Sequence, residues 1–284
     1  MSAATLIVGA DMIASDMPRI FISLTTVSGR VEGVAQTIES LLAQNYENIS
    51  VLLHLSHDPY LLDEGICGVP ESLDRLRRAD RRFEIRWVPN MGPYRKLLPV
   101  LAWLGGRSEL VATADDDTIY PQGWLKQLFA LYLKQRCVIA YRGHRMTHRD
   151  GVFLPYRSWM QSSIVRNPDL LLLPTGKDGV LYNSAYFSPG VLDYQTARRL
   201  APTADDIWFK WHTAMSDVSV YLATTDYRRS TLASIDDGGA SLYLKFNKDG
   251  GNDAIIGRIH QWAKTERSFD IVATAEGQEG YKAS

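Results

Sequence analysis

Two spacings of apolar residues alternate through the first half of the chain, and together they predict its architecture. The mainly apolar stretch at residues 19–26 reads as a strand that ends in small hydroxyl residues, Thr25 and Thr26. Val34, Ile38, Leu41 and Leu42 then recur three and four residues apart, the period that lines one helix face, so residues 31–45 are expected to form an amphipathic helix. The alternation continues with a strand at 49–55, a charged helix at 71–79, a strand at 83–88 and a helix at 95–105. A strand at 110–112, a helix at 124–135 and a strand at 137–141 complete it. Strands regularly separated by helices predict an α/β fold with a mainly parallel sheet covered on both faces. Beyond Gly151 the pattern loosens into Pro-, Gly- and Tyr-rich segments, recovering at Asp205 and in a helix at 253–265. No internal repeat or low-complexity linker breaks the chain. It divides into an N-terminal extension (1–17), one α/β domain (18–235) and a C-terminal loop and helix (236–284) packed on it.

Composition narrows the classes of function. With 284 residues and a net charge of −1, the chain suffices for one large α/β domain or two small ones. No basic stripe with interleaved aromatics is present, so nucleic acid is not an expected partner. No apolar run approaches the roughly 20 residues of a membrane span. The N-terminus lacks a basic segment and Asp11 interrupts its apolar stretch, which argues against a secretory signal. Cys67 and Cys137 form neither a disulfide framework nor a zinc spacing, which favours a reducing compartment. A soluble, cytoplasmic protein is the expectation.

The chemistry concentrates where predicted strands end. Asp115, Asp116 and Asp117 follow the strand at 110–112, and three adjacent carboxylates repel each other unless something compensates them. A hard divalent cation, Mg²⁺ or Mn²⁺, suits such oxygen ligands and joins one or two carboxylates to substrate phosphates. The strand's carboxyl end is also where open α/β sheets bind ligands. The alternative is a solvated turn in which Asp117 caps the following helix. Thr25, Thr26 and Arg30 follow the first strand, at the usual nucleotide position or in a plain surface turn. Arg95 and Lys96 sit at a helix start, where cations oppose the helix dipole and call for an anionic partner such as a diphosphate, or for solvent. A second acidic pair, Asp205 and Asp206, opens a helix. One carboxylate can cap that helix, which leaves the other as a candidate general base. Trp208, Phe209 and Trp211 beside them line an acceptor pocket or belong to the core. His54 and His57 fall on opposite faces of their strand and cannot ligate together. His144 follows the strand that comes after the triplet and is a candidate for reaching the substrate.

Four segments, in this order, resemble the nucleotide-sugar-dependent glycosyltransferases of the GT-A fold, closest to the family 2-like bacterial enzymes. They are Ser23 to Thr26 with Arg30, then Gly92 and Pro93 with Lys96, then Ala114 to Pro121, and finally Ala204 to Trp208. The triplet is similar to the Asp-X-Asp signature, and Asp205 and Asp206 to the acidic pair that supplies the base in inverting members. The family pair is more often Glu-Asp, so the choice between Asp205 and Asp206 stays open. The resemblance implies a donor site of Thr25, Thr26, Arg30, Lys96, Asp115 and Asp116, with Mn²⁺ or Mg²⁺ held by Asp117 and Asp115 and by a late histidine, His260. It implies catalysis by Asp206 with Asp205, and acceptor contacts from Gly179 and Trp208. The implied partners are a nucleotide sugar, with a UDP-sugar expected, and a carbohydrate or glycolipid acceptor. Peripheral contact with the inner membrane face fits such an acceptor. Two other classes compete: a sugar-nucleotide nucleotidyltransferase, and a non-catalytic sugar-binding protein of the same fold. Residues 242–252, with Lys245, Lys248 and a diglycine, are expected to form either a mobile loop closing over the donor or an exposed linker.

Overall fold

Successive residues of the central strands point to opposite faces, and this builds two cores. The computed structural model describes residues 17–225, 232–235 and 242–283, so nearly all of the expected N-terminal extension lies outside the described residues. Strand β1 (Ile20–Thr25) sends Ile20, Ile22 and Leu24 into one core and Phe21 into the other. Strand β2 (Ile49–Leu55) repeats the division, with Val51, Leu53 and Leu55 on one face and Leu52 on the other.

The first half follows the predicted order. Helix α1 (Val34–Leu42) joins β1 to β2, and α2 (Glu71–Ala79) leads to β3 (Phe83–Trp87). Then come α3 (Leu98–Leu104), β4 (Leu110–Thr113), a two-residue β5 (Thr118–Ile119), α4 (Trp124–Gln135) and β6 (Val138–Ala140). The helix expected at 95–105 is split. Gly92–Lys96 forms a 3₁₀ turn and α3 begins only at Leu98, with Pro99 in its first turn. One face of the sheet is covered by α1, α2 and α4 through Val34, Ile38, Leu41, Leu73, Leu125 and Leu128.

The second half is built from short pieces. Strand β7 (Gly143–Arg145) pairs with β10 (Leu172–Pro174), and β8 (His148–Arg149) with β9 (Val152–Phe153). Helix α5 (Tyr156–Trp159) lies between them in sequence. Strand β11 (Val180–Asn183), α6 (Tyr194–Leu200), α7 (Asp205–Ala214), β12 (Val220–Leu222) and β13 (Ala233–Ser234) follow. The C-terminal helix is longer than expected, α8 (Gly251–Arg267), and a second helix not anticipated from the pattern, α9 (Ile271–Ala283), comes after it. Ile255, Ile259, Trp262, Ile271 and Val272 join the second core beside α7.

The sheet order is β12-β6-β11-β4-β1-β2-β3. Every pairing is parallel except those of β11, which runs antiparallel to both β4 and β6. Ser23 pairs with Thr113, so the chain after β1 and the chain after β4 leave the sheet at the same edge. Because β11 is reversed and Val180 pairs with Thr113, the loop that enters β11 arrives at that edge as well. One reversed strand thus brings a third loop to the point where two parallel strands end. Among the described residues, no helix is long and apolar enough to cross a membrane.

Candidate active site

The shared edge opens into a cleft of about 410 Å³, within the size range of small-molecule sites. Its walls include Thr25, Thr26, Arg30, Lys96, all three aspartates of the triplet, and both Asp205 and Asp206. The triplet sits just past β4, as its position in the sequence predicts. Each of its carboxylates has a different neighbour. Asp116 is buried, accepts a hydrogen bond from Thr26 Oγ1 at 2.5 Å and pairs with Arg30 Nε at 3.0 Å. Burial moves its pKa up to about 6, against the opposing pull of Arg30 and Thr26. Asp115 pairs with Lys96 Nζ at 3.2 Å and accepts from the Asp178 backbone N–H at 3.1 Å. The Asp117 carboxylate has the looser contacts, Thr118 Oγ1 at 3.2 Å and Arg30 Nη1 at 3.9 Å. It does not cap α4, whose N-cap residue is Gly123.

These contacts decide which carboxylates suit a metal. Asp116 is committed to Thr26 and Arg30, whereas Asp115 and Asp117 keep part of their surface open to the cleft. Among the described residues no group of three His, Cys, Asp or Glu side chains converges on one point. Asp115 and Asp117 could offer a cation two hard carboxylates, within the one or two that Mg²⁺ takes alongside substrate phosphates. The donor set fits Mg²⁺ or Mn²⁺.

The second pair opens α7 from the same cleft, but not as a cap. The N-cap residue is Ala204 and no side chain caps the helix, which corrects the expectation that one carboxylate would do so. Asp205 and Asp206 are instead its first two residues, where the helix dipole favours negative charge. Asp206 Oδ1 accepts from the Ile207 N–H at 2.9 Å. Burial raises both carboxyl pKa values above the ordinary range, Lys96 opposes this, and Asp206 adds to the shift of Asp205. Lys96 is the common neighbour. Burial works against its ammonium, yet Asp115, Asp205 and Asp206 together raise its pKa above the usual lysine value. The loop entering β11 touches both clusters, through Asp178 N–H on Asp115 and the Gly176 backbone facing Asp206.

Other expected residues lie elsewhere. Trp208 is fully buried, donates its indole N–H to Val191 O at 3.0 Å and packs on Trp262. Phe209 and Trp211 are core residues too. Gly179 adopts φ +101° and lies against Trp124, where a side chain would collide, so its role is to let β11 start close to α4. Neither Gly179 nor Trp208 lines the cleft. His260 packs against Phe153 and Trp211 with Asp270 at 3.9 Å, and it too is absent from the cleft wall. Helix α8 turns that histidine toward the aromatic core, so the expected third ligand is not brought to the triplet. His144 is buried with its ring edge-on to Tyr156. Arg95 finds its anion within the protein, pairing with Asp63 at 2.7 Å. Lys245 and Lys248 are exposed and do not line the cleft, although Leu242, Tyr243, Asn247 and Asn252 of that segment do.

No protein-family model matches this chain, and no curated protein does. Several solved structures are similar to it. Residues 1–349 of TarS from S. aureus in complex with UDP-GlcNAc align over 89% of this chain and 74% of that one, at 13% identity and a TM-score of 0.48. Another TarS structure is covered over 36% of its length, with a TM-score of 0.45. The mannosyltransferase PcManGT from Pyrobaculum calidifontis, in complex with GDP-Man and Mn²⁺, aligns over 89% of this chain and 66% of its own, at 13% identity and a TM-score of 0.48. A 4-diphosphocytidyl-2C-methyl-D-erythritol synthase from Anaerococcus prevotii aligns over 86% and 96%, at 12% identity and a TM-score of 0.43. All these scores fall below 0.5, so the chemistry of the cleft has to be read from its own side chains.

Those side chains include several that no motif announced. Asp63 is the hub of one wall, accepting from Arg95, from the Ser28 N–H at 2.9 Å and from Asn90 Nδ2 at 3.1 Å. The one sequence signal for it is an acidic pair, Asp63 and Glu64, directly after Tyr60, Leu61 and Leu62. Thr203, Asn247 and Asn252 reach the cleft through contacts distant in sequence and carry no such signal.

Proposed function

We propose that this chain transfers a sugar from a nucleoside-diphosphate sugar, expected to be a UDP-sugar, to a hydroxyl of a carbohydrate or glycolipid acceptor. The observation that carries this reading is that two acidic clusters, far apart in sequence, line one cleft and act on the same lysine. A binding protein needs one anion-compensating cluster. A second one, with raised pKa values and no side-chain cation of its own, is what a proton-accepting step requires.

Thr25, Thr26 and Arg30, beside Asp116, form the expected nucleotide end. Lys96 and Lys177 both line the cleft and can neutralise charge developing on a diphosphate leaving group. A divalent cation held by Asp115 and Asp117 would supply further positive charge to that group. The acceptor oxygen attacks the anomeric carbon as the bond from that carbon to the phosphate oxygen breaks, and the electron pair leaves with the diphosphate. The acceptor's proton goes to the Asp206 carboxylate, which also accepts from the Ile207 N–H. A single displacement of this kind inverts the anomeric configuration. We place the reaction in the cytoplasm, at the inner membrane face when the acceptor is a glycolipid.

A panel of nucleotide sugars incubated with the protein in Mn²⁺ or in EDTA tests the reading. Slow release of nucleoside diphosphate from one donor, dependent on metal, is expected. Binding of no nucleoside diphosphate, or release of pyrophosphate instead, would overturn it.

A further inference from the structure

One wall of the cleft has no part in donor chemistry. It is formed by Tyr156 and Met160 around α5, and by Leu242, Tyr243, Asn247 and Asn252 leading into α8. Asn252 is only 6% exposed, faces the cleft, and its Oδ1 has no hydrogen-bond partner. A buried amide oxygen without a donor is destabilising, and a ligand hydroxyl would satisfy it.

The surroundings hold Asn252 in place. Gly251 lies so close to the Phe246 carbonyl that no other residue fits without a backbone shift. Asp253 Oδ1 accepts from the Tyr156 N–H at 2.6 Å, which ties α8 to α5. Thr203 Oγ1 donates to Asn247 Oδ1 at 2.6 Å and Asn247 Nδ2 donates to Thr203 O at 3.0 Å. Thr203 lies two residues before Asp205, so this wall is fastened to the start of the helix that carries the acidic pair.

Its chemistry differs from the rest of the cleft. The described cations of the lining, Arg30, Arg95, Lys96 and Lys177, are held by Asp116, Asp63, Asp115 and Ser234, and none belongs to this wall. Two tyrosines, a methionine, a leucine and amide groups remain. Such a surface packs the C–H face of a sugar ring and bonds its hydroxyls, while it offers no cation to a phosphate or carboxylate.

We propose that this wall is the acceptor subsite, that it takes a neutral saccharide, and that Asn252 orients it by accepting a hydrogen bond from one of its hydroxyls. The assignment rests on the transferase reading and replaces Gly179 and Trp208 as acceptor contacts.

Saturation-transfer NMR on the full chain, with methyl glycosides and neutral disaccharides titrated beside glucuronate and glucose 6-phosphate, tests it. The wild type should bind at least one neutral saccharide and should bind the charged sugars at least tenfold more weakly. Asn252→Ala should weaken the neutral saccharide at least tenfold. Tyr243→Leu, at a half-buried position of the same wall, should do the same if the alanine variant fails to fold. UDP and GDP titrated with Mn²⁺ should bind both variants as they bind the wild type. Neutral saccharides held equally by wild type and both variants, charged sugars held as tightly as neutral ones, or no saccharide bound at all would overturn the proposal. A wild type that binds saccharide through Asn252 but neither UDP nor GDP would reject the transferase reading and leave the subsite standing.

Discussion

The two acidic clusters are made of the same side chain and do different things because their neighbours differ. In the triplet each carboxylate meets a cation on another segment: Lys96 for Asp115, and Arg30 for Asp116 and Asp117. The pair on α7 has backbone amides, a helix dipole and a lysine shared with the triplet. Carboxylates that keep part of their surface open beside such cations, Asp115 and Asp117, are suited to hold something. Carboxylates crowded together in a buried helix start, with pKa values raised, are suited to accept a proton.

Breaking the pair gives the largest expected effect. Asp206→Asn should lower transfer by roughly 10²-fold or more, the scale of losing a positioned base, with nucleotide binding nearly intact. Steady-state transfer and UDP titration on the same preparation check this, and full activity in the variant would sink the base assignment. Breaking the triplet should act on binding. Asp117→Asn should weaken UDP binding in Mn²⁺ on the order of tenfold and leave affinity in EDTA unchanged. Equal affinities in metal would remove Asp117 as a ligand.

The pH profile sharpens the contrast without changing the resting charge pattern. A base works only when deprotonated, and a raised pKa moves its titration upward. Transfer should therefore climb as pH rises through a range above that of ordinary carboxylates. Because the charge of Asp206 raises the pKa of Asp205, the two carboxyls titrate as a pair, and Asp205→Asn should change the position of that limb. An unmoved limb would separate the two residues.

The smallest effect is on stability. The folded protein holds the proton of Asp205 more tightly than the unfolded chain, so its ionisation costs stability as pH rises through the raised pKa. Asp205→Asn should then be within about 1 kcal/mol of wild type at acid pH and gain relative to it above that pKa. Urea unfolding at two pH values measures the difference. A loss that grows with pH would mean that the charged carboxylate is held by something after all.

How far the sequence could be read follows the same division. The spans Ile49–Leu55, Glu71–Ala79 and Trp124–Gln135 coincide with predicted elements, because one-sided burial leaves a clear period. The second half hides its elements. Its strands are two to four residues long, and α7 is buried nearly all round, so neither period can show. That is also why Trp208 looked available: aromatic spacing beside two acids is the same for a pocket wall and for a core helix. Lys96 and the triplet were legible because charge at a strand exit has a local cause. Asp63, Asn247 and Asn252 were not, because tertiary contacts alone bring them to the cleft.

The reversal of β11 has a consequence for how the protein folds. The contacts that hold the triplet join residues far apart: Thr26 to Asp116 across 90 positions and Asp115 to Asp178 across 63. Local segments therefore cannot assemble the cleft by themselves, and such long-range closure comes late. Until Arg30 and Lys96 reach the chain that follows β4, three aspartates lie together without their cations, and their repulsion adds to the barrier. Refolding in moderate salt, which screens that repulsion, should accelerate the last kinetic phase of the wild type more than that of Asp116→Asn.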